Sequence, residues 1–384
     1  MKIYKFITQI SIAGCMLVGT PMLQGCMDNS LNDPLGKVSE EELGRDGFAA
    51  NAFFLTLCDY AYPIATENIY NTNESLIGDC YGRYQVMATD KFKGANFATY
   101  NAPENWLNWQ FADDNVMVLT YGAWNKIKNV TQGTGVNFAW AQILRIATMH
   151  RMLDMYGALP YSQISSDKLS TPYDTMEEAY HAMFTDLTDA INVMTVYVTE
   201  NPNNRTMAKY DKVYDGDFEK WVKFANSLKL RMAIRIRFAD REYARQMAEE
   251  AINHSIGVIT SNEDNATSLG TKNQLYTVLV QWPDQCVSAD ITSYMKGYND
   301  PRMSKYFKKK TSDKGDDDYV GMRAGLSYGN DITGPTFSRI NVGEMDRTLW
   351  MSAAETAFNK LEKMLHPSNE LKTIYQMQLD SIGE

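Results

Sequence analysis

Apolar residues recur at intervals of three and four along six stretches of this chain, which is the spacing of one face of an α-helix. The longest stripe runs from Met176 to Val198, and Thr175 with Glu178 forms a capping-box pattern at its start. Asp217 stands at the N-cap position of another stripe. The spacing therefore predicts a mainly α-helical protein. The six stripes lie at 48–57, 116–130, 140–156, 176–198, 218–236 and 244–252.

The stripes follow one another with short connections, which predicts stacked helical hairpins of a tetratricopeptide-like kind, although the strict repeat signature is absent. Stretch 140–156 is apolar on most sides, so we expect it at the centre of the body. Long segments rich in aromatic residues and Asn interrupt the stripes at 67–103, 253–300 and 312–343. Loops of this length are usually functional or disordered, and the Tyr and Trp residues within them weigh against disorder.

The N-terminus has the layout of an export signal. Lys2 and Lys5 precede an uncharged, mostly apolar stretch, and a small Gly stands directly before Cys26. This resembles the bacterial lipobox, in which the Cys is acylated and becomes the first mature residue. Polar residues and a Pro interrupt the stretch, so a transmembrane anchor is the weaker interpretation. We predict a lipoprotein signal peptide at 1–25 and an acylated, flexible polar tether at 26–45.

Charge and histidine content exclude several classes of protein. The chain has 37 basic and 47 acidic residues, a net charge of -10, which becomes -12 when Lys2 and Lys5 leave with the signal. Because nucleic-acid binding needs an excess of Lys and Arg, we expect no nucleic-acid partner. The two closest of the four His residues, His150 and His181, are 31 positions apart, which excludes HExxH and similar local motifs. We predict no metal site and no cofactor.

Three cysteines remain once Cys15 leaves with the signal and Cys26 carries lipid. An odd number without CxxC spacing predicts neither a disulfide framework nor a zinc site. A single Cys58–Cys80 bridge and buried free thiols, Cys286 included, remain open alternatives.

A series of motifs in chain order points to one family. Residues 151–162 read RMLDMYGALPYS and contain the element D-x-YG-x-LPY. Over roughly residues 48–355 the chain resembles the SusD/RagB-like outer-membrane lipoproteins of Bacteroidetes, in agreement with the lipobox. The supporting segments are Trp124–Ile127, Pro172–Asp174, Tyr214–Asp217, Phe224–Arg231, Asn299–Arg302, Phe337–Arg339 and Met351–Glu355.

The resemblance implies a tetratricopeptide-like helical-hairpin scaffold with a ligand-facing side of long loops, in a body at 46–346. It also implies an outer-membrane lipoprotein that faces the cell exterior and touches the membrane through its lipid only. Such a protein binds glycan or another nutrient and delivers it to a SusC-like TonB-dependent transporter, without catalysis or a cofactor. After Glu355 the sequence departs from the family pattern, so 347–384 is expected to be the start of a C-terminal helical segment that is atypical or truncated.

The motif residues themselves are expected to be structural. We interpret 151–162 as scaffold, because Gly157 and Pro160 end the central helix there. The stripe at 218–236 has a basic face that is expected to be solvated or salt-bridged, with docking against an acidic partner as the alternative. The basic residues of that face are Lys220, Lys223, Arg231 and Arg235.

Sugars offer flat apolar faces edged by hydroxyl groups, so a sugar site needs aromatic rings beside polar side chains. Three loop segments combine both, at 79–85, 101–110 and 281–285. The alternative for each ring is that it fastens its loop to the scaffold, and the two Trp residues of the second segment could equally share one helix face. The predicted ligand contacts are Tyr81, Arg83, Tyr84, Trp106, Trp109, Trp282, Asp284 and Tyr298.

Two other functional classes stay open. A glycoside hydrolase needs only two well-placed carboxylates, which 47 acidic residues allow, although motifs for nucleophilic triads and phosphate loops are absent. A surface adhesion protein is the other class. The acidic segments 211–217 and 313–318 offer Ca²⁺ ligands without EF-hand spacing, so acidic surface loops are the favoured interpretation.

Overall fold

The computed structural model describes residues 48–62, 66–89, 97–101, 103–108, 116–164, 170–268, 270–282, 284–310, 318–326 and 337–364. The described residues from 50 onwards belong to one compact unit. The predicted signal at 1–25, the tether at 26–45 and Cys26 lie outside the described residues. No helix in the described part of the chain is long and apolar enough to cross a bilayer.

Eight helices of nine residues or more organise the described part of the chain. The first six coincide with the six predicted stripes, which confirms the helical prediction. The seventh lies inside the segment 253–300, which was expected to be a loop. The helices are α1 Phe48–Ala61, α2 Val116–Thr131, α3 Gly135–Tyr156, α4 Met176–Glu200, α5 Phe218–Ile236, α6 Arg241–Ile252, α7 Ala289–Gly297 and α8 Ala353–Met364.

Local sequence signals fix where these helices begin and end. At the start of α4 the Thr175 side chain accepts from the Glu178 backbone N–H, and the Glu178 carboxylate accepts from the Thr175 N–H, so the predicted capping box is confirmed. Asp217 caps α5 by accepting from the Lys220 N–H. Gly157 ends α3 with a φ of 78°, a conformation that residues with a Cβ rarely adopt.

Consecutive helices pack against each other as hairpins, with α2 on α3, α3 on α4, α4 on α5 and α5 on α6. Helix α3 lies at the centre, as predicted, and every side chain from Ala139 to His150 is buried. Trp140 of α3 stacks on Phe54 of α1 with ring centroids 4.3 Å apart. The main hydrophobic core therefore forms around α3.

Within the described residues, three two-stranded antiparallel pairs connect segments that are far apart in sequence. They join β1 to β3, β2 to β6 and β4 to β5. Segments 67–103 and 253–300 thus contain strands and short helices rather than continuous loops. Elements of two to five residues are too short to show a period, which is why the sequence did not predict them. The strands are β1 Gln85–Met87, β2 Ala266–Ser268, β3 Gln285–Val287, β4 Phe307–Lys308, β5 Arg339–Ile340 and β6 Thr348–Met351.

The carboxylate of Asp174 holds the backbone that follows α3, within the predicted scaffold segment 151–162. One of its oxygens accepts from the N–H groups of Tyr161 and Ser162, at 2.8 and 2.7 Å. The other accepts from the Ser162 hydroxyl at 2.5 Å. The Tyr121 hydroxyl donates to the Pro160 carbonyl at 2.6 Å. The motif residues at this turn therefore hold the chain reversal together.

A second buried carboxylate, Asp211, organises the turn before α5. Its oxygens accept from the N–H groups of Val213, Tyr214 and Gly216 and from the Trp221 indole, all at 2.8–3.1 Å. Burial raises the pKa of Asp211, and these donors offset part of the rise. For Asp211 the prediction of an acidic surface loop is wrong, and its carboxylate accepts from N–H donors rather than being open to Ca²⁺, whereas Asp215 of the same segment is exposed.

The predicted basic face of α5 is a set of ion pairs. Lys223 contacts Asp264 at 2.9 Å, and Arg235 contacts Asp154 at 3.1 Å. Arg231 donates to both oxygens of Glu355, at 2.6 and 2.8 Å. The salt-bridged interpretation of this face is confirmed, and Arg231 joins α5 to α8. Of the other acidic segment, 313–317 lies outside the described residues, and Asp318 pairs with Lys296 at 2.6 Å.

Helix α8 contacts the body through polar side chains. Glu355 pairs with Arg231, and Glu362 pairs with Arg237. Its larger apolar side chains, Phe358 and Leu361, are exposed. Helix α8 lies within the segment 347–384, and its acidic residues Glu355 and Glu362 face the body.

Cys58, Cys80 and Cys286 are buried and free, so the open question between a bridge and free thiols is decided for the thiols. Burial raises the pKa of all three, to about 12 for Cys80 and Cys286. Because the thiolate is the reactive form, we expect these residues to be inert packing groups.

Replacing Asp211 by Ala should destabilise the protein by at least about 3 kcal/mol, because each buried donor left without an acceptor costs roughly 1–3 kcal/mol. Urea unfolding followed by circular dichroism measures the change. Asp189→Ala, at an exposed position of α4, is the matched control and should stay within about 0.5 kcal/mol of the parent. A loss no larger than that of the control would show that the turn does not depend on this carboxylate.

Candidate functional site

The pair of strands β1 and β3 brings two of the predicted ligand segments together. Gln85 lies opposite Val287, and Met87 lies opposite Gln285. Beyond the paired residues, the Ser288 N–H donates to the Tyr84 carbonyl at 3.0 Å. The Gln285 side chain donates to the Ser75 carbonyl at 2.7 Å. Segments 79–85 and 281–285 therefore adjoin, although about 200 positions separate them in the chain.

Three of the predicted contacts share one surface with a residue that was not predicted. Tyr81 is 43% exposed and Tyr100 is 71% exposed. Their rings stack with centroids 5.6 Å apart and planes 25° apart. The Arg83 guanidinium lies 5.9 Å from the centre of the Tyr100 ring, and the neighbouring Tyr84 is exposed. We call Tyr81, Arg83, Tyr84 and Tyr100 the tyrosine patch.

A buried layer of aromatic rings supports the tyrosine patch. The edge of Tyr81 meets Phe97 at a centroid distance of 5.5 Å, and Phe97 stacks on Trp106 at 5.7 Å. Phe97 is 1% exposed and Trp106 is 5% exposed. Trp106 therefore belongs to a second buried apolar cluster, together with Phe97 and Val86, rather than to an exposed platform. The alternative interpretation, that this ring fastens its loop to the body, describes it better.

Backbone geometry holds the patch in an uncommon conformation. Arg83 and Tyr100 both have a φ of 60°, which bulky side chains rarely adopt and which costs on the order of 1–3 kcal/mol each. A Cβ added to Gly82 would lie 2.8 Å from the Tyr84 ring, so this ring packs on a bare backbone. Strained residues of this kind cluster at ligand-binding positions, which makes the patch a candidate site.

The remaining predicted contacts do not belong to the tyrosine patch. Trp282 is partly buried and packs against a further apolar cluster that contains Val278 and Met295, and Asp284 is buried. Tyr298 is 80% exposed but follows the C-terminal end of α7, whose nine residues span about 13 Å. Trp109 lies outside the described residues. The structure thus groups Tyr81, Arg83 and Tyr84, and it separates them from Tyr298.

The sequence contained a signal for the residue that was missed. Tyr100 stands in the run Asn96–Asn101, NFATYN, where two aromatic residues lie between two Asn residues. The other candidate segments have the same combination of aromatic and amide side chains. What the sequence did not reveal is that Tyr100 folds over Tyr81, because that contact depends on the two turns around them.

One acidic group beside the patch titrates near neutral pH. Burial raises the pKa of Asp79, two residues before Tyr81, to about 7. Burial also raises the pKa of Tyr81, with a smaller contribution from Tyr100. The Asp79 carboxyl group therefore gains or loses its proton near neutral pH.

Replacing Asp79 by Asn should raise the melting temperature above that of the parent at pH 8, and this gain should shrink as the pH falls. The folded protein holds the Asp79 proton up to about pH 7, whereas the unfolded chain releases it near pH 3.8. The parent therefore loses stability as the pH rises between these values, and the variant does not. Thermal unfolding from pH 4 to pH 8 measures the difference.

Asp189→Asn, at an exposed position, is the matched control for an Asp-to-Asn change at the surface. A difference between Asp79→Asn and the parent that stays constant over the same range would contradict the raised pKa of Asp79.

The chain is similar to a known protein family. The family described as "SusD-like: Susd and RagB outer membrane lipoprotein" matches residues 30–377. Among curated proteins, none matches significantly.

Solved structures match the described fold closely. The chain is similar to a SusD homolog from Bacteroides uniformis, with 36% identity and a TM-score of 0.73. It is similar to a chitin-binding SusD homolog from Flavobacterium johnsoniae, with 31% identity and a TM-score of 0.73. A SusD homolog from Bacteroides thetaiotaomicron has 32% identity and a TM-score of 0.74.

These matches cover 81%, 81% and 85% of this chain, respectively. They cover 65%, 65% and 67% of the solved chains, so this chain spans 65% of the length of the first two relatives.

Proposed function

This chain belongs to the SusD/RagB family of outer-membrane lipoproteins, and on that premise we propose that it captures a glycan on the tyrosine patch and passes it to a SusC-like TonB-dependent transporter. The role is binding without catalysis. Lipid on Cys26 anchors the body to the membrane and leaves it facing the cell exterior.

The observation that carries this proposal is the exposed stack of Tyr81 on Tyr100. Both rings sit on the surface, and Phe97 beneath them is buried, so the platform is supported from below. A sugar ring packs its apolar face on such a surface, while the Tyr hydroxyls and the Arg83 guanidinium supply hydrogen-bond donors for its hydroxyl groups. The patch therefore combines the two kinds of group that a sugar requires.

The ligand class most worth testing is a chitin-type oligosaccharide. One relative at 31% identity is described as chitin-binding. A β-linked N-acetylglucosamine chain presents flat ring faces and acetamido groups, which suit stacked tyrosines beside a guanidinium. We propose this class as the first candidate, with other neutral glycans as the next ones.

Replacing Tyr81 or Tyr100 by Ala should weaken the binding of the recognised oligosaccharide at least about tenfold, since removing one aromatic platform is expected to cost about 1.4 kcal/mol or more. Isothermal titration calorimetry against chitooligosaccharides and a panel of other glycans measures the affinity. Tyr173→Ala is the matched control, because the exposed fraction of Tyr173, 58%, lies between those of Tyr81 and Tyr100, and Tyr173 does not belong to the patch.

Parent-like affinity in both Tyr81→Ala and Tyr100→Ala would remove the patch from the proposal. Trp282→Ala and Tyr298→Ala then identify whether one of the separate predicted contacts binds instead. Release of shorter sugars from a polysaccharide by the purified protein would favour the hydrolase alternative over a binding role.

Delivery to a transporter makes a second prediction. Gentle detergent extraction of outer membranes should co-purify the lipidated protein with a TonB-dependent barrel, identified by mass spectrometry. Cys26→Ser should lose membrane attachment while the released body keeps its glycan affinity. If Cys26→Ser remains in the membrane fraction, the anchor is not where we propose it.

A further inference from the structure

Three potential metal ligands, none of them a residue of the tyrosine patch, meet where the start of α4 approaches the start of α6. Glu177 and His181 are four residues apart on α4, so they lie on the same helix face. Asp240 is the N-cap residue of α6. One ligand atom from each of the three residues lies within 4.8 Å of the other two. The fold thus brings together residues that are 59 positions apart, from His181 to Asp240.

The distances suit a bound ion. His181 Nε2 and Asp240 Oδ2 are 3.1 Å apart. Two ligands on Zn²⁺, with bonds of about 2.1 Å, are separated by about 3.0–3.4 Å when the angle between them is 90–109°. The Glu177 side chain is exposed and long, so a change of rotamer brings its carboxylate to the same ion. Three protein ligands and water would then complete a four-coordinate site.

Neighbouring groups hold two of these ligands in place. The second oxygen of Asp240 accepts from the Tyr243 N–H at 3.3 Å, which fixes the carboxylate. The His181 ring packs on the Tyr243 ring with centroids 4.1 Å apart. The His181 and Asp240 side chains are 39% and 36% exposed, so an ion can reach them from solvent. Such outer contacts are typical of metal sites, where they orient the ligands.

We propose that Glu177, His181 and Asp240 bind one first-row divalent transition metal ion, of which Zn²⁺ is the best match. An imidazole ligand favours such ions over Ca²⁺ and Mg²⁺, which prefer oxygen. The ion joins α4 to the start of α6. It stabilises the folded protein, because the unfolded chain does not bring the three ligands together. This site is independent of glycan binding.

The experiment uses the whole purified chain without a polyhistidine tag, stripped of metal with a chelator. Calorimetric titration with Zn²⁺ should give one ion per chain, and Co²⁺ should give the visible absorption of a four-coordinate site. Zn²⁺ should also raise the melting temperature. His181→Ala and Asp240→Asn should each weaken binding at least about tenfold and abolish the thermal shift.

Asp240→Asn keeps a good N-cap residue, so its loss of metal binding is not expected to come from loss of the helix. His254→Ala removes a histidine outside the cluster and should bind Zn²⁺ like the parent. The proposal is overturned if Zn²⁺ fails to raise the melting temperature of the parent. It is overturned equally if His181→Ala and Asp240→Asn bind the ion as the parent does, or if Ca²⁺ binds as tightly as Zn²⁺.

Discussion

Complete burial of helix α3 is the constraint from which the rest of the scaffold follows. A helix that is buried on every side from Ala139 to His150 needs neighbours all around it, and α1, α2, α4 and α5 supply them. A charged side chain inside this region needs partners that offset the loss of water. Arg145 lies between the rings of Trp124 and Tyr161 and pairs with Asp186 at 2.5 Å, so its charge is balanced.

The same environment explains the state of the buried histidine on α3. Burial lowers the pKa of His150 to about 4, so the ring is neutral at physiological pH. Its Nδ1 lies 2.9 Å from the Ile146 carbonyl within the same helix. A neutral imidazole that bonds a carbonyl of its own helix is compatible with an apolar interior. His150 therefore takes no part in the candidate sites. Histidines near the surface differ, because solvent and carboxylates can reach them.

Helical periodicity was enough to predict α1 to α6, because each presents several turns of apolar residues to the core. The short strands could not be predicted in this way, since β1 and β3 contain only three residues each and their partners are distant in sequence. The site shows the same division. Tyr81 and Arg83 were found from local composition, whereas the stack on Tyr100 and the burial of Trp106 result from how the turns fold. The cluster of Glu177, His181 and Asp240 is equally invisible in sequence.

The elements next to the tyrosine patch hold its rings in place. Strand β1 pairs with β3, and the Gln285 side chain of β3 donates to the Ser75 carbonyl. The short helix Gly78–Tyr81 lies in the chain between Ser75 and β1. The two exposed rings therefore keep their geometry, because the burial of Phe97 beneath them offsets the entropic cost of ordering them. An exposed aromatic pair on a mobile loop would have to be ordered by the ligand. Here the scaffold has already ordered it, so the binding free energy of a sugar is not reduced by that cost.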